Sequence, residues 1–163
     1  MKEKSKFSLA YKDESMVNLV KKTDHKTLAV WAIDCVNHVI PYFEKKYPKD
    51  KRPRKAIETL QKWIDTGIFK MSNIRGASLA SHAAAREVGE DNSARSAARA
   101  AGQAVATAHV PTHSFGAANY SLQAIYRNTN SSEAVSKERD WQITHLRKLL
   151  EKSENFKNIS KLQ

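Results

Sequence analysis

Two stretches of this sequence set arginine and histidine at helical spacing among alanines. Arg95, Arg99, Gly102, Ala106 and His109 follow one another at intervals of four, three, four and three, so on a helix they form a single stripe. Arg75, Leu79, His82 and Arg86 make a comparable stripe upstream, and Thr27, Trp31, Asp34 and His38 a third. If these stripes face one another, guanidinium and imidazole groups flank a floor of hydrogen and methyl at Gly102 and Ala106. That arrangement has room for a small anion or a partner side chain, with Asp34 able to hold an Arg or His in place. The same residues equally suit half-buried ion pairs that fix helix register. The candidate binding cluster is therefore Asp34, His82, Arg86, Arg99, His109 and His113.

His109 and His113 stand four apart, a spacing at which two imidazoles on one helix can share a metal ion. Pro111 between them disfavours helical geometry at Val110 and places the pair on either side of a helix junction. Convergence with His82 and Asp34 would give three imidazoles and a carboxylate, a set zinc or iron accepts. No HExxH pattern accompanies them, so neither a metal site nor a cofactor is the expectation.

Residues 44–55 carry seven cations and two carboxylates, the densest basic run in the chain. Such charge beside a helix N-terminus opposes the helix dipole, and an anion would offset it: a phosphate, a nucleic-acid backbone or an acidic face of a partner. A solvated loop is the plainer alternative. Within the run, Arg52 and Arg54 flank Pro53, and their forked guanidiniums suit bidentate contacts better than lysine does. Arg52, Arg54 and Lys55 are the candidate anion- or partner-binding residues.

Nucleophilic chemistry has little support. Cys35, the only cysteine, sits mid-helix in an apolar run with no helix N-terminus to activate it. It excludes an intrachain disulfide and an all-cysteine zinc site. Neither a Gly-x-Ser-x-Gly elbow nor a glycine-rich phosphate loop occurs. Trp31, Trp63, Phe115 and Trp141 fall on apolar helical faces, as core residues do.

The elements that must position these groups are helices. Apolar spacing is helical nearly everywhere, hairpin turn pairs are absent, and glycine and proline together number nine in 163 residues. The expected architecture is all-α: one antiparallel bundle of about six helices in one domain, residues 1–163. A basic segment, residues 1–22, precedes the first helix, which starts at Thr23 or Asp24 and runs to His38. Pro41 restarts it before residues 42–47. Further helices run from Pro53 to near Gly67, over residues 72–88, from Asp91 or Asn92 to His109, and over 112–128. The last runs from Glu133 to Lys152, with residues 153–163 frayed. Thirteen alanines between Gly76 and Ala108 let the third and fourth of these pack closely as a central pair. The net charge is +11, and no apolar run is long enough to span a membrane or form a signal core. A cytoplasmic location without membrane contact is the expectation.

Several motifs occur in a recognisable order. They are Trp31-Ala-Ile-Asp34-Cys35, Arg52-Pro53-Arg54-Lys55-Ala-Ile-Glu58 with Trp63, and Ser81-His82-Ala-Ala-Ala-Arg86-Glu87. After them come Ala97-Ala-Arg99-Ala-Ala-Gly102-Gln103-Ala104, then Thr107-Ala108-His109-Val110, His113 and Gly116-Ala117-Ala118. From about residue 27 to residue 126 the chain resembles the bacterial family of putative immunity proteins. The resemblance implies a helical domain that neutralises a toxin made by the same or a sister cell. Carried over position by position, it marks Asp34, Arg52, Arg54, His82, Arg86, Arg99, His109 and His113. Where that family often has Gly-His-Ala this chain has Gly102-Gln103-Ala104, so a histidine at 103 is not required here.

Three functions follow for testing. The first is a protein-binding immunity module whose partner is a cognate toxin, with no turnover and a polar interface. An inhibitor that imitates a nuclease's substrate should be acidic, so a chain at +11 calls for a toxin with an acidic face. The second is a nucleic-acid-associated protein using residues 45–55, with affinity that falls steeply with salt. The third is an enzyme or small-anion binder built on Asp34, His82, Arg99, His109 and His113.

Overall fold

A computed structural model describes residues 13–163, and among these it contains eight α-helices and no strand. They are α1 (Glu14–Lys22), α2 (His25–Asn37), α3 (Ile40–Lys46), α4 (Arg52–Thr66), α5 (Met71–Glu87), α6 (Ser93–Ala106), α7 (His113–Thr129) and α8 (Ser132–Ser160). The expected count of about six was low. One extra helix comes from the break at His38 and Val39, which with Pro41 at the start of α3 makes two helices of what reads as one kinked run. The other is α1, which lies in the segment expected only as a basic lead-in. Asp13 caps it by accepting the Ser15 N–H at 2.9 Å, and Met16 and Val20, four apart, face inward. The rest of the expected lead-in, residues 1–12, lies outside the described residues.

Local signals set most other boundaries. Asp24 accepts the Thr27 N–H at 2.9 Å, Asn92 the Arg95 N–H at 3.0 Å and Ser131 the Ala134 N–H at 3.1 Å. Pro53 opens α4, and Gly67, in the left-handed region at φ 67°, closes it with its N–H on the Trp63 carbonyl. α6 stops at Ala106 rather than His109, because the chain tightens into turns before Pro111. The last helix runs past the expected end at Lys152 to Ser160, so residues 153–160 are not frayed. Ser153 donates to Asp24 at 2.8 Å and Lys157 lies 3.5 Å from the same carboxylate, tying the final turns to the start of α2.

At the centre stands α6, with nine of its fourteen residues buried and helices α2, α3, α4, α5 and α7 packed around it. Alanine is what permits this: six of the nine are Ala and one is Gly, so neighbouring backbones close in without side chains to displace. α5 runs antiparallel to α6. Ser78 donates to the Gly102 carbonyl at 2.9 Å, Ser81 to that of Ala98 at 2.7 Å, and Arg95 Nε to that of Ala85 at 3.1 Å. Only α6 is enclosed, however. α5 buries Ile74, Ser81, Ala84 and Ala85 and leaves its other face open. A second apolar cluster of Met16, Val20, Leu28, Trp31, Cys35, Ala118 and Leu146 joins α1, α2, α7 and α8. Buried Gln142 holds it in register, accepting the Trp31 indole N–H at its carbonyl (2.9 Å) and donating to the Ala118 carbonyl (3.0 Å). No described helix is long and apolar enough to cross a membrane.

Candidate functional site

The antiparallel register brings two of the three polar stripes face to face. Along the outer seam, Arg75, Leu79, His82 and Arg86 of α5 run beside Ala106, Gly102, Arg99 and Arg95 of α6, with His109 in the turn that follows. At one end the seam opens into a groove of about 310 Å³ lined by Met71, Ile74, Arg75, Ser78, Leu79, Ala106 and His109. Ile68, Phe69, Met71 and Leu79 stand beside or in it as exposed apolar side chains, Ile68 at 66% and Leu79 at 54% exposure. The His109 ring stacks over Phe69 at 6.2 Å.

Further along the seam the imidazole of His82 lies flat on Gly102. A Cβ at Gly102 would fall 2.7 Å from His82 Nε2, so only glycine lets the ring settle there. Burial, and then the cations of Arg99 and Arg86 and the ring of His113, hold His82 below the ordinary histidine range, favouring its neutral form. Next to it, Gln103 lies over Gly116, where a Cβ would meet its Oε1 at 2.6 Å, and that oxygen accepts a hydrogen bond from His113 Nδ1 at 2.8 Å. His113 is likewise lowered, first by burial and then by His109. Arg99 is half-buried and Arg86 exposed, and among the described residues neither guanidinium makes a hydrogen bond or an ion pair. The site therefore sets guanidiniums with no direct partner beside two half-buried imidazoles, and it is the guanidiniums that attract an anion.

Asp34 is not among them. Its carboxylate accepts from His145 Nε2 of α8 at 2.7 Å, and His145 stacks on Trp141 at 4.9 Å. Trp141 also meets the ring of His38 at 3.8 Å, whose Nδ1 lies 2.6 Å from Glu138. This pair of imidazole–carboxylate contacts around one indole fastens α8 to α2. Nothing in the sequence pointed to His145 or Glu138. Among the described residues no group of three or more His, Cys, Asp or Glu is placed to hold a metal ion, so the three-histidine, one-carboxylate set does not assemble.

The basic run of residues 44–55 behaves differently. Arg52 does make bidentate contacts, but with the protein's own carboxylates. It donates to Asp50 at 3.0 and 2.7 Å and to both oxygens of Glu87, the first at 3.1 Å. Arg54 grips Glu44 at 3.1 and 2.5 Å, and Lys46 reaches Glu90 at 2.9 Å. These bridges join α3 to α4, α4 to α5 and α3 to the α5–α6 turn. Arg52 holds the carboxyls of Asp50 and Glu87 below the usual range through its hydrogen bonds. Lys55 is exposed and without a hydrogen bond or ion pair among the described residues.

A separate cleft of about 560 Å³ lies between α1 and the starts of α2 and α7, lined largely by Met16, Val17, Val20, Leu28 and Phe115. Several of its polar side chains are engaged elsewhere. Asp13 binds Ser15, Arg139 binds Gln142, and His25 Nε2 donates to the Thr107 carbonyl at 2.5 Å, closing the C-terminus of α6. The α5/α6 seam is the better candidate because three of its guanidiniums, those of Arg75, Arg86 and Arg99, have no direct partner among the described residues.

Comparison with curated proteins and with solved structures finds no significant match. A family model does match, over residues 18–149, and its span takes in all of α2 to α7 and the first half of α8. On that match, the chain belongs to the Imm-5 like putative immunity protein family.

Proposed function

We propose that this protein confers immunity by binding a bacterial toxin and blocking it through protein–protein contact. The observation that carries the reading is membership of an immunity-protein family across residues 18–149. The surface is consistent with it. An exposed apolar group at Ile68, Phe69, Met71 and Leu79, bordered by uncommitted cations, has the make-up of a contact patch with an apolar centre and a charged margin. A net charge of +11 favours fast association with a partner whose contact face is acidic.

Nucleic-acid binding through residues 45–55 is the weaker reading, because Arg52 and Arg54 already hold Asp50, Glu87 and Glu44. To engage phosphates they would have to give up charge-assisted bonds of the same kind.

The test is growth. Reading frames adjoining this one in its genome are expressed singly in a host until one arrests growth, and this chain is then co-expressed. Growth should recover, and the two proteins should copurify as a complex that survives high salt. If no arresting product is rescued, or if rescue occurs without a complex, the reading fails.

A further inference from the structure

Between residues 66 and 129 there are six lysines and arginines but only three carboxylates: Glu87, Glu90 and Asp91. All three sit at the α5–α6 turn and all are taken, by Arg52, by Lys46, and by Arg95 at 2.8 Å with Arg127 at 3.7 Å. The seam from Arg75 to Arg99 thus has no acid outside that turn, and the guanidiniums of Arg75, Arg86 and Arg99 make no direct hydrogen bond or ion pair among the described residues, Glu87 and Asp91 acting on Arg86 and Arg99 only at longer range. Arg99 is half-buried in that condition. A half-buried guanidinium with no carboxylate in direct contact is open to a charge-assisted pair with an incoming acid.

The floor of the seam is low. Ser78, Gly102 and Ala106 present almost no bulk, while Leu79 and Met71 project beside them. From Arg75 to Arg86 along α5 is about 16 Å at the helical rise, the length of roughly three turns of a helix. One end of the track is apolar and the other cationic.

We propose that the α5/α6 seam is the docking track for an amphipathic acidic segment of the protein partner, about three helical turns long. Its aliphatic side chains rest on Met71 and Leu79, and its carboxylates meet Arg75, Arg86 and Arg99. This rests on the reading of immunity by protein contact and adds to it the surface and the chemistry of the partner. Charge complementarity selects this occupant. A nucleic-acid strand would satisfy the arginines but leave Ile68, Met71 and Leu79 against a polyanion. A second copy of the chain would bring a like-charged seam to this one.

The probe is a random peptide library displayed on phage, selected on the wild-type protein with counter-selection on a Leu79→Ser, Arg86→Gln, Arg99→Gln variant. Circular dichroism verifies that the variant is folded, and Arg86→Gln with Leu79→Ser alone serves if it is not, both side chains being exposed. Recovered peptides should carry Asp or Glu together with Leu, Ile, Met or Phe at helical spacing. Synthesised singly, they should bind the variant at least about tenfold more weakly and lose affinity with salt. An Arg54→Gln control should bind them as wild type does. The proposal is overturned if the recovered peptides lack acidic residues or bind the variant equally. It is also overturned if a single-stranded oligothymidylate binds the seam more tightly than any of them, or if sedimentation shows a Leu79-dependent dimer. The growth assay separates the two readings. Rescue that persists in the triple variant keeps the immunity function and removes the track, whereas acidic peptides selected without any rescue keep the track and remove the immunity function.

Discussion

The basic corner where α3, α4 and α5 meet and the seam between α5 and α6 are both rich in arginine, and they use it in opposite ways. At the corner, the arginines are spent within the molecule: Arg52 on Asp50 and Glu87, Arg54 on Glu44. Along the seam, Arg75, Arg86 and Arg99 have no such partner among the described residues. The region with the denser charge in sequence is therefore the one with fewer free guanidiniums. Density of charge along a chain marks where cations are made, whereas function depends on which of them the fold leaves unneutralised.

Substitutions should separate the two regions by what they damage. The largest effect comes from the packing beneath the seam. Ala98→Leu places a branched side chain at a fully buried position whose carbonyl accepts from Ser81, and should destabilise the fold by about 2–3 kcal/mol in urea denaturation. A loss below about 0.5 kcal/mol would mean that α5 is not held closely on α6 and that the seam is pliable. At the corner, Asp50→Ala removes both the acceptor for the Arg52 backbone N–H and one arm of its guanidinium clamp. Thermal unfolding should register about 1 kcal/mol, with binding to any partner of the seam unchanged. If that binding fell instead, the corner would belong to the interface and the contrast would collapse.

Proton linkage gives a smaller, directional signal. His82 and His113 are both held below the ordinary histidine range, so as the pH drops below about 6.5 the unfolded chain takes up protons before the native one does. Native stability is fully present above that pH and declines as the solution becomes more acidic. His82→Gln should shallow this decline, measured as the difference in denaturation midpoint between neutral and mildly acidic buffer. An undiminished slope would place His82 in water rather than against Gly102. The smallest effect is expected for Arg75→Gln with Arg86→Gln, both on the open face of α5. Stability should stay within about 0.5 kcal/mol of wild type while peptide binding at the seam weakens. A clear loss of stability there would show that these arginines are structural, like those of the corner.

Much of the seam was legible before any coordinates. The intervals that place Arg75, Leu79, His82 and Arg86 on one face, and Arg95, Arg99, Gly102 and Ala106 on another, are properties of a helix and need only the helix to exist. The alanines implied that these two helices pack closely as a pair, while whether their polar faces meet was left open by the sequence. Asp34 was drawn into the same set because its stripe looked similar, yet it faces α8 and bonds His145, 111 residues away. Gln103 drew notice only as the place of a missing histidine. Its role, spanning from Gly116 to His113, depends on a close approach of α6 and α7 that no local spacing encodes.

What the chain determined by itself is whatever acts within a few residues. Asp24, Asn92 and Ser131 cap helices because their oxygens reach N–H groups three positions on, and Pro53 and Gly67 bound α4 by their own backbone preferences. Tertiary structure alone decided which charges cancel. Arg52 meets Glu87 across 35 residues and Arg54 meets Glu44 across ten, pairings set by how helices are rotated and offset once their apolar faces have packed. An ion pair contributes too little to dictate that packing, so it takes the partner that burial of the alanine-rich faces brings within reach, and the seam keeps its arginines free for the same reason.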